Sequence, residues 1–200
     1  DLRQVKETLR PFNLPVVALG TVGLSFARKL TLLHNDAGIR NRAVEAFQQL
    51  VILAAELETP ITIGSFRGWE KNFTIDRSGE RKLEIFDNLV AFAERKKVNI
   101  VLEPLNRYET DFIHTAIQAV DFIKQVGRPN LFVLLDTFHM NIEEPGLIQA
   151  VWDAKDKLKH FHIGDSNRLS PGQGHIDFLN LIKVLKDVEY TGYLSVEHLA

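Results

Sequence analysis

Residues 131–140 read LFVLLDTFHM, a short apolar run that ends on Asp136. Such a run, closed by a charged residue, has the pattern of a strand buried on both faces, as in a parallel sheet. The pattern recurs on either side: VNIVLE (98–103) closes on Glu103, LKHFH (158–162) on His162 and YLSVE (193–197) on Glu197. The four closing residues are separated by 33, 26 and 35 positions, each about one strand–helix–strand advance. In a barrel of parallel strands every such step returns the chain to the same face, and the C-terminal strand ends are where that fold places its chemistry. Three carboxylates and one imidazole converging there make an oxygen-rich site for a divalent cation, with Mn2+, Mg2+ and Co2+ all acceptable. One polar residue at a strand end is unremarkable; four in register, with matching ligand chemistry, argue against coincidence.

Upstream, LPVVALG (14–20) and PITIG (60–64) read as two further strands. Between the strands lie helical patterns. Residues 37–57 carry an apolar stripe with Asn35 or Asp36 available as a cap, and residues 80–97 end in ERKK, which suits the helix macrodipole. Residues 115–126 stop at Gly127, Pro145 has the look of a first-turn proline, and Asp177 can cap FLNLIKVLKD. Without tight hairpin signals or low-complexity linkers, the expectation is one α/β domain over residues 1–200. Six strands fall short of the eight of a closed (β/α)8 TIM barrel. The chain opens on the helix-like DLRQVKETLR and stops just after a strand. An open six-stranded sheet would expose two long apolar edges. The expectation is therefore an incomplete barrel of about six βα units, its first and last strands missing, within a longer polypeptide.

Composition narrows the function classes. A net charge of −2 over 200 residues gives no electrostatic footprint for nucleic acid or an anionic membrane. No apolar run is long enough to span a bilayer. The absence of cysteine excludes disulfides and thiol catalysis and suits a reducing compartment, so cytoplasmic is the expected location.

The segments that follow the four ligands are EPLNRYET from Glu103, DTFHMNIEE from Asp136, HIGDSNR from His162, and His198 after Glu197. Together they resemble the xylose-isomerase-like barrel superfamily of sugar isomerases and epimerases, and within it the ketose 3-epimerases of the D-tagatose and D-psicose type. The resemblance runs from about Leu14 onward and is strongest from Val98 to Glu197. It implies one divalent cation, usually Mn2+, Mg2+ or Co2+, held by Glu103, Asp136, His162 and Glu197. It further implies that Glu109, His139 and Arg168 contact the oxygens on the first three carbons of a bound sugar. A guanidinium in the loop after His162 also has chemical sense, since it can stabilise an enediolate oxyanion; a rim salt bridge is the plainer reading of Arg168. Homodimers or homotetramers are implied as well.

Other candidates rest on position alone. Arg67 and Trp69 in GSFRGWE follow a strand on the same face and are candidate pocket residues, with Arg67 also placed to meet a phosphate. Asp165 is a candidate acceptor supporting the metal ligands. His160 shares the parity of His162 one pleat deeper. The G-x-G in PGQGH (171–175) is no phosphate fingerprint.

This constellation suits proton abstraction beside a carbonyl. The expected function is metal-dependent ketose epimerisation at C3 through a cis-enediolate, with Glu103 and Glu197 as acid and base, on a free or phosphorylated sugar. The alternatives are an aldose–ketose isomerase of the hydroxypyruvate isomerase type, an inosose dehydratase-like lyase, and a non-catalytic metal-binding barrel. An endonuclease IV relative needs extra histidines on the early strands, and VVALG and ITIG have none.

Overall fold

The computed structural model describes residues 2–198. Six strands, all parallel and hydrogen-bonded in chain order, curl into part of a barrel: β1 (Leu19–Gly20), β2 (Ile61–Ile63), β3 (Ile100–Leu102), β4 (Leu131–Asp136), β5 (Leu158–Ile163) and β6 (Leu194–Val196). Helices α1 (Leu2–Leu9), α2 (Val22–Phe26), α3 (Ala37–Leu57), α4 (Ser78–Arg95), α5 (Ala116–Val126), α6 (Thr137–Glu143), α7 (Leu147–Ala154) and α8 (Phe178–Asp187) accompany them. This is the incomplete (β/α)8 architecture expected from the apolar runs. No helix among the described residues is long and apolar enough to cross a membrane.

The register explains why the strand ends share one face. Asp136 pairs with His162, and Ile163, the next residue, pairs with Val196, one before Glu197. Strands β2 and β3 are wholly buried, and the largely aliphatic core between sheet and helices holds an aromatic cluster. In it Phe122 meets Phe86 and Phe112 edge-on, at centroid distances of 4.9 and 5.2 Å. Such pairs contribute about 1 kcal/mol each beyond their buried area.

Helix boundaries follow their local chemistry. Asp36 caps α3 by accepting from Ile39 N. Thr115 and Gln118 form a reciprocal capping box at the start of α5, and Gly127, at φ +72°, closes that helix in the left-handed region. Asp177 caps α8 through Asn180 N. Two expectations need correction. The strand at 14–20 shortens to Leu19–Gly20, because its partner β2 begins only at Ile61, which pairs with Leu19, and the preceding Pro60 has no N–H to give. Pro145 does not open a helix: Gly146 takes the cap position and α7 begins at Leu147.

Candidate active site

The strand ends bring Glu103, Asp136, His162 and Glu197 together, with one ligand atom from each lying within 4.8 Å of all the others. Asp136 divides its oxygens between two tasks. One accepts from Phe138 N and caps α6 at 2.8 Å; the other, Oδ2, faces His162 Nδ1 at 3.9 Å. His162 Nδ1 also lies 3.6 Å from Glu103 Oε1 and 2.5 Å from Glu197 Oε2. Yet His162 Nδ1 and Glu197 Oε2 are buried atoms without an aligned hydrogen-bond partner. Unsatisfied buried polar atoms are costly unless something else meets them, and both point into the same cluster.

Arg168 reaches the cluster from its loop, donating from Nη1 to Asp136 Oδ2 at 2.9 Å while Nη2 sits 3.2 Å from Glu197 Oε1. Its guanidinium also stacks 4.7 Å from the Phe138 ring centroid, and its backbone holds φ +63°. With His162 neutral, three carboxylates and one guanidinium leave a formal charge of −2, which one divalent cation neutralises. The donor set, its spacing and its charge thus fit a divalent cation.

The electrostatics show what the cluster does to protons. Burial, then the Glu103 charge, pushes Asp136 up to about 8 against the pull of Arg168. Burial would lower His162, but close contacts with Glu103 and Glu197 raise it to about 10. Contact with His162 holds Glu197 down, to about 2. Beneath them His160 is buried against Ser195 Oγ at 2.9 Å and is pushed down to about 4, by burial first and by His162 second.

Glu109, His139 and Arg168 line a cavity of about 150 Å³ above Glu103, His162 and Glu197, with Val22, Phe26 and Leu105 on its apolar side. A larger hollow of about 330 Å³ opens beside His160 and Tyr190. It lacks the ligand cluster, so chemistry rather than volume locates the site.

Arg67 is placed differently from its sequence reading. Its guanidinium is fully buried and donates to the carbonyl oxygens of Phe112 (2.9 Å), Ile113 (3.0 Å), Gly64 (3.2 Å) and Glu103 (2.6 Å). It ties the loops after β2 and β3 together and does not line the cavity, because four main-chain acceptors draw it inward. Trp69 is also outside the cavity and carries Lys71 Nζ 3.9 Å from its ring centroid. Asp165 accepts from the main-chain N–H groups of Ser166, Gly172 and Ile176, so it organises its own loop instead of supporting a ligand. Two positions escaped the sequence reading. Asn106, buried in the loop after Glu103, bonds to both His139 and Glu109; its place in EPLNRYET was the available signal. Gly64 follows β2 beside Glu103, and a Cβ there would stand 2.7 Å from Glu103 Oε2.

The crowded atom at Gly64 is the tip of a side chain, so the backbone need not move. Gly64→Ala is therefore expected to leave the fold in place and displace the Glu103 carboxylate, weakening metal binding about tenfold or more. Calorimetric titration with Mn2+, beside the melting temperature of the metal-free protein, checks this. An unchanged affinity would show that the carboxylate has room to spare.

The xylose isomerase-like TIM barrel family model matches residues 1–200, and the chain belongs to that family. It is 43% identical to an L-ribulose 3-epimerase of Methylomonas sp., over 98% of this chain and 68% of that protein. It is 38% identical to the 3-dehydro-D-guloside 4-epimerase of Escherichia coli, over 98% of this chain and 77% of that one. A crystal structure of a D-psicose 3-epimerase in the presence of D-fructose superposes with a TM-score of 0.73 at 33% identity, covering 84% of this chain and 60% of that one. The chain spans 60–63% of the length of the curated D-psicose 3-epimerases it matches.

Proposed function

We propose that this chain carries the catalytic centre of a divalent-metal-dependent ketose 3-epimerase. The observation that carries the reading is the convergence of four metal-type ligands, with Glu103 and Glu197 among them, in a chain whose named relatives are epimerases. Glu103, Asp136, His162 and Glu197 hold the cation, Mn2+ by preference; when bound, it supplies Lewis acidity toward the sugar's carbonyl and neighbouring hydroxyl oxygens.

The remaining steps belong to the protein. A ketose lies in the cavity with its C1–C3 oxygens against Glu109, His139 and Arg168. One glutamate removes the C3 proton, leaving a cis-enediolate whose negative charge Arg168 offsets. The other glutamate delivers a proton to the opposite face of C3. One C–H bond breaks and one forms, and the two carboxyl groups exchange protonation states. Reversal runs through the same groups with the roles swapped.

The test is NMR of fructose, tagatose, psicose, xylulose and ribulose in D2O with protein and Mn2+. Deuterium at C3, with the C3 epimer growing in, is the expected result. Label at C1 with an aldose forming would replace the reading with aldose–ketose isomerisation. A second reading, epimerisation at a different carbon beside a carbonyl, has its support in the similarity to the 4-epimerase; a 3-keto glycoside added to the panel separates the two.

A further inference from the structure

The loop after β3 buries a single amide against the two groups proposed to meet the sugar. The Asn106 main-chain N–H donates to His139 Nδ1 at 3.3 Å, and Asn106 Nδ2 approaches the same nitrogen at 2.8 Å. Asn106 Nδ2 also donates to Glu109 Oε1 at 3.0 Å. The orientation of the amide is fixed from its other end, since Oδ1 accepts from Tyr108 N at 3.0 Å. The loop is fixed in turn: Asn106 O accepts from Glu109 N and Thr110 N, and Arg107 grips Glu143 through its main-chain N–H and guanidinium. Both Asn106 and His139 are 2% exposed.

Both Asn106 nitrogens are donors, so the lone pair of His139 Nδ1 faces them and its ring proton sits on Nε2. Nε2 lies 4.0 Å from both Glu103 Oε1 and Asp136 Oδ2, on the side of the metal cluster. The same amide sets Glu109 Oε1 3.9 Å from His139 Nδ1. We infer that Asn106 is a positioning residue that locks His139 as a neutral Nε2–H donor toward the reacting oxygens and holds Glu109 at a fixed offset from it.

This inference rests on the sugar-binding role of His139 proposed above. A flipped tautomer would present a lone pair where a developing oxyanion needs a donor, and the wrong imidazole tautomer is a known way to disable a site whose geometry is otherwise intact. Alanine leaves only the longer main-chain bond to Nδ1 and frees Glu109. Aspartate puts an acceptor where a donor stood, favouring a proton on Nδ1 and repelling Glu109.

Long-range ¹H–¹⁵N correlation spectra of the Mg2+-loaded protein test this directly, with the His139 signals assigned by their loss in His139→Gln. The unsubstituted protein is expected to show the Nε2–H pattern at His139, and Asn106→Asp to move it toward Nδ1–H. In kinetic assays kcat falls about 10²-fold in Asn106→Asp, while Mg2+ affinity stays within about twofold. Asn106→Ala is expected to retain Nε2–H in part, with a smaller loss of kcat. An Nδ1–H pattern in the unsubstituted protein, or unchanged His139 signals in Asn106→Asp, would overturn the inference whatever the substrate proves to be. If the tautomer shifts as described and no sugar is turned over, the proposed reaction fails and the lock stands.

Discussion

Glu103→Gln is expected to stop epimerisation while leaving C3 proton exchange intact for one epimer of the substrate. In the proposed scheme the two carboxylates, which follow β3 and β6, flank C3 from opposite sides. Removing one base leaves the other able to take the C3 proton of the epimer it faces, exchange it with solvent and return it to the same face. Nothing then protonates the opposite face, so deuterium enters without inversion. The reciprocal variant, Glu197→Gln, is expected to exchange only the other epimer, through Glu103. Epimerisation falls at least about 10³-fold in each, within the usual worth of a general acid or base. Glutamine keeps an oxygen for the cation, so both variants are assayed at saturating Mn2+ with metal content measured. Loss of exchange in both epimers in a metal-replete single variant would sink the two-base scheme, as would continued epimerisation.

The face on which Glu103 and Glu197 meet was legible because it depends on topology alone. Parallel strands joined by helices always return to one side, so a residue closing each apolar run needs no knowledge of side-chain contacts to be placed. Where a residue acted through its neighbours, the sequence was silent. Arg67 follows β2 on the active face, yet four carbonyl oxygens from two loops draw it into the interior; nothing in GSFRGWE foretells those partners. Asn106 goes unread because the group it bonds is a histidine 33 positions away. Gly64 matters only because Glu103 Oε2 occupies the space a Cβ would fill. The short α6 escapes for a related reason: Asp136 reads as a metal ligand, while its second oxygen caps the helix that follows. The overlong first strand reflects an apolar run whose partner strand starts too late to pair with it.

Metal uptake is expected to release protons and to strengthen with rising pH, because the metal-free cluster holds protons that a cation must displace. His162, raised to about 10 by Glu103 and Glu197, is protonated at neutral pH and must lose that proton to become a ligand. Asp136, raised to about 8 by burial and by Glu103, gives up a further share. Linkage then sets a slope of at least about tenfold in affinity per pH unit from pH 6 to 8. The same shifts fix the sign for the metal-free fold. Both groups bind protons more tightly folded than unfolded, so their contribution is complete below about 6.5 for His162 and below about 3.8 for Asp136. It is lost as pH rises through about 10 and about 8 respectively. Glu197, lowered to about 2, works in the opposite sense, but only as pH falls below about 4.5, outside this window. The melting temperature of EDTA-treated protein should therefore fall from pH 6 to 9. Protein loaded with Mn2+ at a thousand times Kd gains about 4 kcal/mol and should not follow that decline. Calorimetry in buffers of different ionisation enthalpy counts the protons released, and thermal denaturation across the same range reads the stability. Proton-neutral binding, or a metal-free melting temperature that rises with pH, would mean that His162 is already neutral in the folded cluster. The four ligands would then be held ready by the scaffold rather than by the protons they trap.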